Sequence, residues 1–337
     1  MAALGMCLLT TVAASACGGS SNTATSSSSG GAPTTTVQVM MYPGQTYRLP
    51  VLIADQQGYL AKAGIKLTTV PQPANITGTQ GLTATKSDIG IVATGTLGQG
   101  FQAGADVRLF CGGIKVLQTS LMVANDSKLP ATDSGSSPQD VLKSLSGKKI
   151  GIQTPVGSGL ALVFQSALDN AGVTGYTLVN VGTSETVVAA ALKNGSLDAA
   201  QANPTATEQL LTTKTAKRII YMPDGPPEYK NYYGSGWIAS AAWLKANPKL
   251  AAGFCSSLNQ ALSYIGDNAN ASNVNSVLQK DTGITADVAD LVRKTDFRDF
   301  DTKLDTATLD ATFQAYTKLG IFKPTPVVDS KSVVEPF

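Results

Sequence analysis

Residues 49–70, LPVLIADQQGYLAKAGIKLTTV, predict a helix followed directly by a strand. The helix is expected over Leu49–Ala63, and Gly64 stands just past its end, where glycine commonly terminates a helix. Ile65–Val70 has the β-branched composition of a strand. A similar stretch, Val37–Tyr42, precedes the helix. Strand, helix and strand in this order predict the beginning of a mostly parallel sheet covered by helices.

The same alternation continues and then starts again in the middle of the chain. Further strands are expected at Asp88–Val92, Val107–Cys111, Lys149–Gln153, Tyr176–Val181, Leu197–Gln201 and Arg218–Met222. Further helices are expected at Ile76–Thr85, Pro138–Leu145, Gly159–Ala171, Glu185–Lys193 and Thr205–Thr213. The chain then becomes helical, over Pro248–Gly266, Ala271–Lys280, Ala286–Lys294 and Ala307–Leu319. Two series of alternating elements predict two α/β lobes and a helical C-terminal segment.

Two extended stretches interrupt the alternation. Val116–Asn125 and Tyr232–Ser240 have strand composition, with no helix between each of them and the neighbouring strand. We interpret them as the two places where the chain crosses between lobes. Lobe 1 is then expected to comprise residues 36–117 and 238–337, and lobe 2 to comprise residues 118–237.

The composition argues against several classes of function. The formal net charge is +2, only 14% of residues are charged, and the arginines are scattered, so we expect no nucleic-acid partner. The chain contains no histidine, which removes Ser-His-Asp and Cys-His catalysis and His-ligated zinc. We therefore expect a protein that is not an enzyme and that holds neither a metal nor a cofactor.

The N-terminus predicts export. Ala2–Ala16 is apolar and uncharged; at this length it is too short to span a bilayer, which takes about 20 residues, but suits a signal-peptide core. Its end, Ala14-Ser15-Ala16-Cys17, resembles a bacterial lipobox, in which the cysteine is lipidated, although Leu is more common at the position of Ala14. We predict a lipoprotein signal peptide over residues 1–17 with Cys17 as the lipidation site. The alternative is an apolar helix of a cytosolic protein.

The residues on either side of this cysteine support the same interpretation. Signal peptides begin with Lys or Arg, and none precedes the apolar core, so we expect the true start codon upstream of Met1. Residues 18–35 are rich in Ser, Thr and Gly and predict a flexible tether. We expect a protein anchored by lipid to the extracytoplasmic face of the cell membrane, on a Gram-positive surface or in a periplasm.

Two cysteines, Cys111 and Cys255, remain in the body of the exported chain. Exported proteins can hold disulfides, and an even number of cysteines favours a disulfide between these two. Two buried thiols that pack as small hydrophobic groups are the alternative.

Four motifs, in order, carry a resemblance to a known family. The first is the Ala-x-x-x-Gly-aromatic run Ala54–Tyr59 followed by Gly64-Ile65, and the others are Asp88–Val92, Leu145–Gly151 and Leu192–Ala199. Over roughly residues 36–245 the chain resembles the nitrate/taurine/alkanesulfonate (NitT/TauT-like) substrate-binding proteins of ABC transporters. That group also includes binders of thiamine pyrimidine precursors.

The resemblance implies a two-lobed, type II periplasmic-binding-protein-like α/β fold, with lobes joined by two crossing strands and a helical C-terminal segment. It also implies a monomeric substrate-binding lipoprotein that serves the permease and ATPase subunits of an importer. Its ligand would be a small polar or anionic organic molecule, such as a sulfonate, nitrate or a pyrimidine-like compound, held between the lobes. One branch of the fold makes a thiamine pyrimidine from its own histidine, and the absence of histidine excludes that branch.

Ligands of open α/β sheets bind beyond the carboxyl ends of the strands, where helix N-termini present free N–H groups. The loops that follow predicted strands therefore supply most of the candidates. The candidate ligand-binding residues are Tyr42, Arg48, Leu49, Thr94, Gly95, Thr96, Thr154, Pro155, Gly157, Ser158, Asn203 and Trp237. The loop Thr154–Gly159 is the strongest, because its glycines allow close backbone approach and Ser158 offers a hydroxyl.

Several candidates have a structural alternative. Ser158 could serve only as a helix cap, Asn203 only as a residue preceding a helix, and Trp237 only as packing. Arg48 could pair with an anion or be a solvated surface charge, and the scarcity of Arg near the expected cleft argues against a tightly held dianion. At the level of function, an enzyme on the same fold and a ligand sensor for a membrane receptor remain as alternatives.

Overall fold

A computed structural model describes residues 34–72, 78–182, 184–230 and 232–335. The strands are β1 Thr35–Met41, β2 Ile65–Pro71, β3 Ile89–Ala93, β4 Val107–Gly112, β5 Ser120–Ala124, β6 Lys149–Ile152, β7 Thr177–Asn180, β8 Ala199–Ala202, β9 Ala216–Tyr221 and β10 Ser235–Ser240. The helices are α1 Leu49–Gln56, α2 Tyr59–Lys62, α3 Gly78–Thr85, α4 Thr94–Gln102, α5 Pro138–Lys143, α6 Gly159–Asn170, α7 Glu185–Lys193, α8 Ala206–Thr212, α9 Pro227–Lys230, α10 Ala241–Ala246, α11 Pro248–Gly266, α12 Ala271–Thr282, α13 Ala286–Thr295, α14 Thr306–Lys318 and α15 Ser330–Val333.

The strands form two five-stranded sheets with matching topology. The first has the order β2-β1-β3-β10-β4 and the second the order β7-β6-β8-β5-β9. In the first sheet β1 is parallel to β2 and β3, while β10 is antiparallel to its neighbours. In the second, β6 is parallel to β7 and β8, while β5 is antiparallel to its neighbours. The mixed α/β fold class expected from the sequence is confirmed.

The chain passes between the two sheets twice, once between β4 and β5 and once between β9 and β10. The two crossing segments are hydrogen-bonded to each other, since the N–H groups of Gly234 and Ser235 both donate to the carbonyl oxygen of Ile114, at 3.0 and 2.9 Å. A Cβ atom at Gly234 would lie 2.2 Å from the carbonyl oxygen of Val116, so only glycine fits this approach. The expected lobe boundary at 237/238 falls inside β10, which lies in the first sheet throughout.

Strand β1 is buried on both faces, as expected for a parallel strand covered by helices. Val39 belongs to a core shared with Ile53 of α1 and Phe254 of α11. Met40, on the opposite face, belongs to a second core together with Leu97 of α4. Alternating side chains of one strand therefore hold helices on both sides of the first sheet.

A disulfide joins this sheet to the C-terminal helices. The sulfur atoms of Cys111, in β4, and Cys255, in α11, are 2.06 Å apart, with a Cα–Cα distance of 5.7 Å. Both distances are ordinary for a disulfide. The bond therefore ties a strand of the first sheet to the longest helix among the described residues.

Two local expectations were wrong. The helix expected over Leu49–Ala63 is interrupted, because Gly58 adopts a left-handed conformation (φ +71°) that ends α1 and starts α2. Thr94, Gly95 and Thr96 were taken from a loop expected after the predicted strand Asp88–Val92, but Thr94 begins helix α4. Glycine is a poor helix former, so this helix was not predicted. Two of its glycines leave space for aromatic rings: a Cβ at Gly98 would lie 2.2 Å from Phe322, and one at Gly95 would lie 3.3 Å from Tyr316.

The predicted signal peptide, Cys17 and all but the last two residues of the predicted tether lie outside the described residues. Within the described part of the chain, no helix combines the length and apolar character needed to cross a membrane.

Candidate functional site

A cavity of about 700 Å³ lies where the two sheets face each other across the crossing segments. It collects residues from the ends of strands in both sheets, as expected for this class of fold. The first sheet contributes the ends of β1, β2 and β3, and the second contributes the ends of β6 and β8. The residues that line it are Tyr42, Gln45, Thr46, Tyr47, Gln72, Gly78, Gln80, Ile91, Val92, Ala93, Thr96, Ile114, Val116, Leu117, Gln118, Thr119, Gln153, Thr154, Leu160, Gln201, Asn203, Pro204, Tyr229, Gly234 and Ser235.

The lining is rich in side-chain amides and hydroxyls. None of the described lining residues is Lys, Arg, Asp or Glu. The residues outside the described ranges contain none of these four either, by sequence alone. The polar part of the cavity is therefore neutral.

Hydrogen bonds within the protein fix the orientation of several polar side chains. The Gln153 amide oxygen accepts from the backbone N–H of Asn203 at 2.7 Å. The Gln201 amide nitrogen donates to the Tyr229 hydroxyl at 3.2 Å, and both side chains are buried. The Tyr47 hydroxyl accepts from the backbone N–H of Tyr42 at 3.1 Å. Burial raises the pKa of Tyr47 and of Tyr229 above the usual range of phenols, so both rings remain uncharged near neutral pH.

Four polar atoms of the lining are buried and have no hydrogen-bond partner within the protein. They are Oε1 of Gln72, Nε2 of Gln153, Oγ1 of Thr154 and Oγ of Ser235. A buried polar group without a partner costs about 1–3 kcal/mol, so native proteins keep few of them. Four in one cavity indicate groups that are available to a ligand.

Four of the sequence-predicted residues, Tyr42, Thr96, Thr154 and Asn203, line this cavity. The structure places the other candidates elsewhere, and they are Arg48, Leu49, Gly95, Thr94, Pro155, Gly157, Ser158 and Trp237.

Three of these eight serve packing or backbone bonding. Leu49 is buried in the core of the first sheet, and Trp237 packs edge-on against Phe254 with 5.2 Å between ring centroids. The Thr94 hydroxyl donates to the backbone carbonyl oxygen of Tyr233 at 2.5 Å. Three contribute to local structure. Gly95 lies against Tyr316, Gly157 has a positive φ of +84°, and Ser158 occupies the N-cap of α6 without a side-chain capping bond.

Arg48 is neither an anion-binding group of the cavity nor a solvated charge. Its Nε and one terminal nitrogen each lie 2.9 Å from a carboxylate oxygen of Asp281, and the two side chains are only 13% and 18% exposed. This two-point ion pair ties the start of α1 to the end of α12. Asp281 is 233 positions from Arg48 in sequence, and no local sequence pattern predicts that the two residues form an ion pair.

The polar lining residues that the sequence did not predict are mainly glutamines. Gln153 and Gln201 were placed at the last positions of two predicted strands, and the search began only with the loops that follow. The strand-end rule would have found both if the final residue of each strand had been included. Gln72, directly after β2, was missed because no candidate loop was taken from that strand.

Solved structures with the same fold include two named binding proteins and DszB. The alkanesulfonate-binding protein SsuA from Xanthomonas axonopodis pv. citri, bound to MOPS, has a TM-score of 0.66 and 17% identity, covering 91% of this chain and 100% of that one. DszB in complex with biphenyl-2-sulfinic acid has a TM-score of 0.62 and 18% identity, covering 88% and 96%. The periplasmic nitrate-binding protein NrtA from Synechocystis PCC 6803 has a TM-score of 0.59 and 12% identity, covering 87% and 83%. At these identities the likeness establishes the fold.

Sequence comparison with curated proteins finds no match. The family model described as NMT1/THI5 like matches residues 45–272, which is more than half of the chain. The matched segment contains all four motifs on which the resemblance was based, and the expected relationship is confirmed. This protein belongs to the NMT1/THI5-like family.

Proposed function

We propose that this protein is an extracytoplasmic solute-binding protein that delivers a small molecule to an ABC importer. The observation that carries the proposal is the 700 Å³ cavity, which presents unpartnered buried polar groups from both sheets. A cavity of this size suits a small organic ligand. The named functions of SsuA and NrtA, which share the fold, support the same role.

Closure of two lobes on the ligand would explain how one molecule contacts both sheets. One lobe would comprise residues 36–117 and 238–337, with the first residues of β10 added, and the other would comprise the remainder of residues 118–237. Ile114 and Gly234, hydrogen-bonded to each other across the crossing segments, lie at the natural pivot. The ligand would then be released when the permease and ATPase subunits favour the open state.

The cavity supports binding rather than chemistry. Its described lining contains no carboxylate and no thiol, and the chain has no histidine, so the hydroxyl groups of the lining have no usual general base beside them. An enzyme on the same fold is the second candidate. A sensor that reports ligand to a membrane receptor would use the same cavity and differ only in its partner.

The test is whether the protein returns its ligand unchanged. Purified protein equilibrated with a bacterial metabolite extract and passed through a desalting column is expected to retain one small molecule, with the same mass as in the extract. Leu160→Trp, on the exposed cavity face of α6, should reduce this retention at least ten-fold by filling the site. Val187→Trp, equally exposed on α7 but outside the cavity lining, is the matched control. Recovery of a converted product would favour the enzyme, and recovery of nothing would contradict a binding role.

The lipid anchor has a separate test. If Cys17 is acylated, cells fed a radiolabelled or alkyne-tagged fatty acid should label the wild-type protein, and Cys17→Ala should lose the label. The variant is expected to leave the membrane fraction. Label retained in Cys17→Ala would show that the anchor, if there is one, is elsewhere.

A further inference from the structure

We infer that the contact of residues 295–302 with helix α8 is a proton-dependent latch between the two lobes, which holds a proton between Asp296 and Glu208 while the lobes are closed and loosens when that proton is lost. The inference rests on the lobe closure proposed above and adds a regulation of it by pH. Three features carry it: the position of the segment beside the crossing segments, the burial of two acidic groups where it meets α8, and the number of protons available there.

Residues 299–302 form a third strand beside the crossing segments. They run antiparallel to the segment that leaves β4: the N–H of Lys115 donates to the carbonyl oxygen of Asp299, and the N–H of Asp301 donates to that of Gly113, both at 2.9 Å. The other crossing segment is bonded to the opposite side of the same stretch, through Ile114. The C-terminal part of the chain therefore takes part in the pivot between the sheets.

The segment is anchored in the first sheet and reaches the second. Phe297 is buried in the core of the first sheet. In the other direction, the Tyr221 hydroxyl, at the end of β9, donates to Oδ2 of Asp299 at 2.6 Å. The hydroxyl oxygen of Thr295 lies 3.3 Å from Oε1 of Glu208, in the first turn of α8. A movement of one sheet relative to the other must therefore change these contacts.

The contact with α8 lies on the side of the crossing segments that faces the ligand cavity. A second cavity, of about 90 Å³, is found there, and Asp296 and Glu208 both line it. Thr119 and Pro204 line this small cavity and the ligand cavity alike. A rotation about the crossing segments that opens the ligand cavity would draw α8 away from residues 295–302.

The Thr295 hydroxyl has one proton and three acceptors around it. Its oxygen lies 2.9 Å from the carbonyl oxygen of Leu291, 3.1 Å from Oδ1 of Asp296 and 3.3 Å from Oε1 of Glu208. The hydroxyl can donate to only one of them, whereas a protonated carboxyl group can itself donate to the hydroxyl oxygen. Protonation of one carboxyl group therefore gives the latch a hydrogen bond that two carboxylates cannot form.

Asp296 is the group that takes the proton. Oε2 of Glu208 accepts from the backbone N–H of Thr205 at 2.9 Å, and a bond of this kind favours the carboxylate. Oδ2 of Asp296 is buried and has no partner within the protein, so an ionised Asp296 would be poorly supported. Burial raises the pKa of Asp296 well above its ordinary value, and the nearby Glu208 raises it further.

The arginines near Asp296 do not replace the proton. Arg298 is paired with Asp224 at 3.1 Å, and Arg218 acts on Glu208, where it favours the carboxylate. The charged and titratable residues on the elements around Asp296 are Glu208 of α8, Arg218 and Tyr221 of β9, Asp224 after β9, Lys115 of the crossing segment, Asp290, Arg293 and Lys294 of α13, and Arg298 and Asp299 of its own segment. Loss of the proton leaves two carboxylates beside one hydroxyl, and they repel each other.

The sign of the pH effect follows from linkage. The closed latch holds a proton that the open latch releases, so closure is favoured at low pH and the advantage is lost as the pH rises through the raised pKa of Asp296. Since a ligand that touches both lobes binds the closed form, its affinity should fall in the same range, by at most about ten-fold per pH unit for one proton.

Hydrogen exchange of the ligand-free protein tests the latch. Amide exchange is measured by mass spectrometry at pH 5 and pH 8 and corrected for the pH dependence of the intrinsic rate. The opening of peptides that cover α8 and residues 295–302 should increase roughly ten-fold more than that of α14, which lines neither cavity. Asp296→Asn should abolish the difference, and Asp126→Asn, at an exposed position, should behave as wild type.

A second variant guards against misfolding of the first. Glu208→Gln keeps an acceptor for the N–H of Thr205 but removes the charge that repels an ionised Asp296, so it should weaken the pH response. An equal increase in α14 would show a general loss of stability and would overturn the inference. So would wild-type peptides that do not respond to pH, or a response that survives in both variants.

Retention of ligand tests the coupling to closure. Wild type and Asp296→Asn are each equilibrated with a bacterial metabolite extract at pH 5 and at pH 8, and the retained molecule is quantified. The ratio of the amounts at pH 5 and pH 8 should be roughly five-fold or more larger in wild type; ionisation of the ligand itself affects both proteins alike. Equal ratios would overturn the coupling and leave the binding function standing. Latch peptides that respond while nothing is retained at either pH would contradict the binding function and leave the latch standing.

Discussion

Removal of the disulfide between Cys111 and Cys255 is expected to lower the free energy of unfolding by about 4–5 kcal/mol. The bond joins residues that are 144 positions apart in sequence, and the enclosed segment contains every strand of the second sheet. A cross-link over so long a segment strongly restricts the unfolded chain, and the loss should lower the melting temperature by roughly 10 °C. Thermal and urea unfolding of the Cys111→Ala/Cys255→Ala variant would measure it.

The control for the disulfide is the reduced wild-type protein. Cys111 is fully buried, so reduction has to be carried out under mild denaturation and confirmed by thiol counting after refolding. Reduced wild type and the double variant should lose similar stability, and reductant should not destabilise the double variant further. A loss below about 1 kcal/mol in both would show that the two cysteines do not constrain the unfolded chain.

The free energy of unfolding is also expected to fall as the pH rises above the usual carboxyl range, because of Asp296. This residue is 4% exposed and Glu208 is 3% exposed. The Thr295 hydroxyl oxygen lies between the two carboxyl groups, 3.1 Å from Oδ1 of Asp296 and 3.3 Å from Oε1 of Glu208. Burial raises the pKa of Asp296 well above its ordinary value, and the nearby Glu208 raises it further. Burial likewise raises the pKa of Glu208. Arg298 and Arg218 oppose the shifts, but Arg298 is itself paired with Asp224 and Asp299.

The sign follows from proton binding. The folded protein holds these protons at pH values where the unfolded chain has released them, so the stabilisation is complete below about pH 4 and is lost as pH rises through the raised pKa values. Asp296→Asn keeps the shape and cannot ionise. The variant should be more stable than wild type at pH 8 by on the order of 1–3 kcal/mol and should show a flatter profile between pH 4 and 8.

Urea unfolding of both proteins from pH 4 to 8 provides the measurement. Asp126→Asn, which changes the same functional group at an exposed position, is the matched control and should follow the wild-type profile. If Asp296→Asn is less stable than wild type at every pH in this range, the fold stabilises the carboxylate of Asp296. The expected sign of the change in the free energy of unfolding would then be wrong.

The order of strands and helices could be predicted from the sequence because the signals are local. The C-terminal helix Pro248–Gly266 was predicted with the bounds that the structure gives, since Pro at its first position and a long helical pattern are both near-neighbour features. The carboxyl ends of the strands could likewise be expected to face a cavity, and Tyr42, Thr96, Thr154 and Asn203, chosen on that ground, line it.

Long-range contacts decided the rest. Helix α4 could not be predicted, because glycine is a poor helix former. Gly98 is needed for a different reason: it contacts Phe322, more than two hundred residues away in sequence, and a Cβ would not fit there. The pairing of Arg48 with Asp281 is equally remote, and it turned a candidate anion-binding group into a structural one.

The sequence by itself determined that this is a two-lobed α/β chain with polar loops at the strand ends, because periodicity, caps and strand composition act over a few residues. Only the tertiary structure decided that the cavity is neutral and lined by amides. Charge and unpartnered polar atoms at a site depend on which side chains from distant strands share the same space, and which of them have already bound each other.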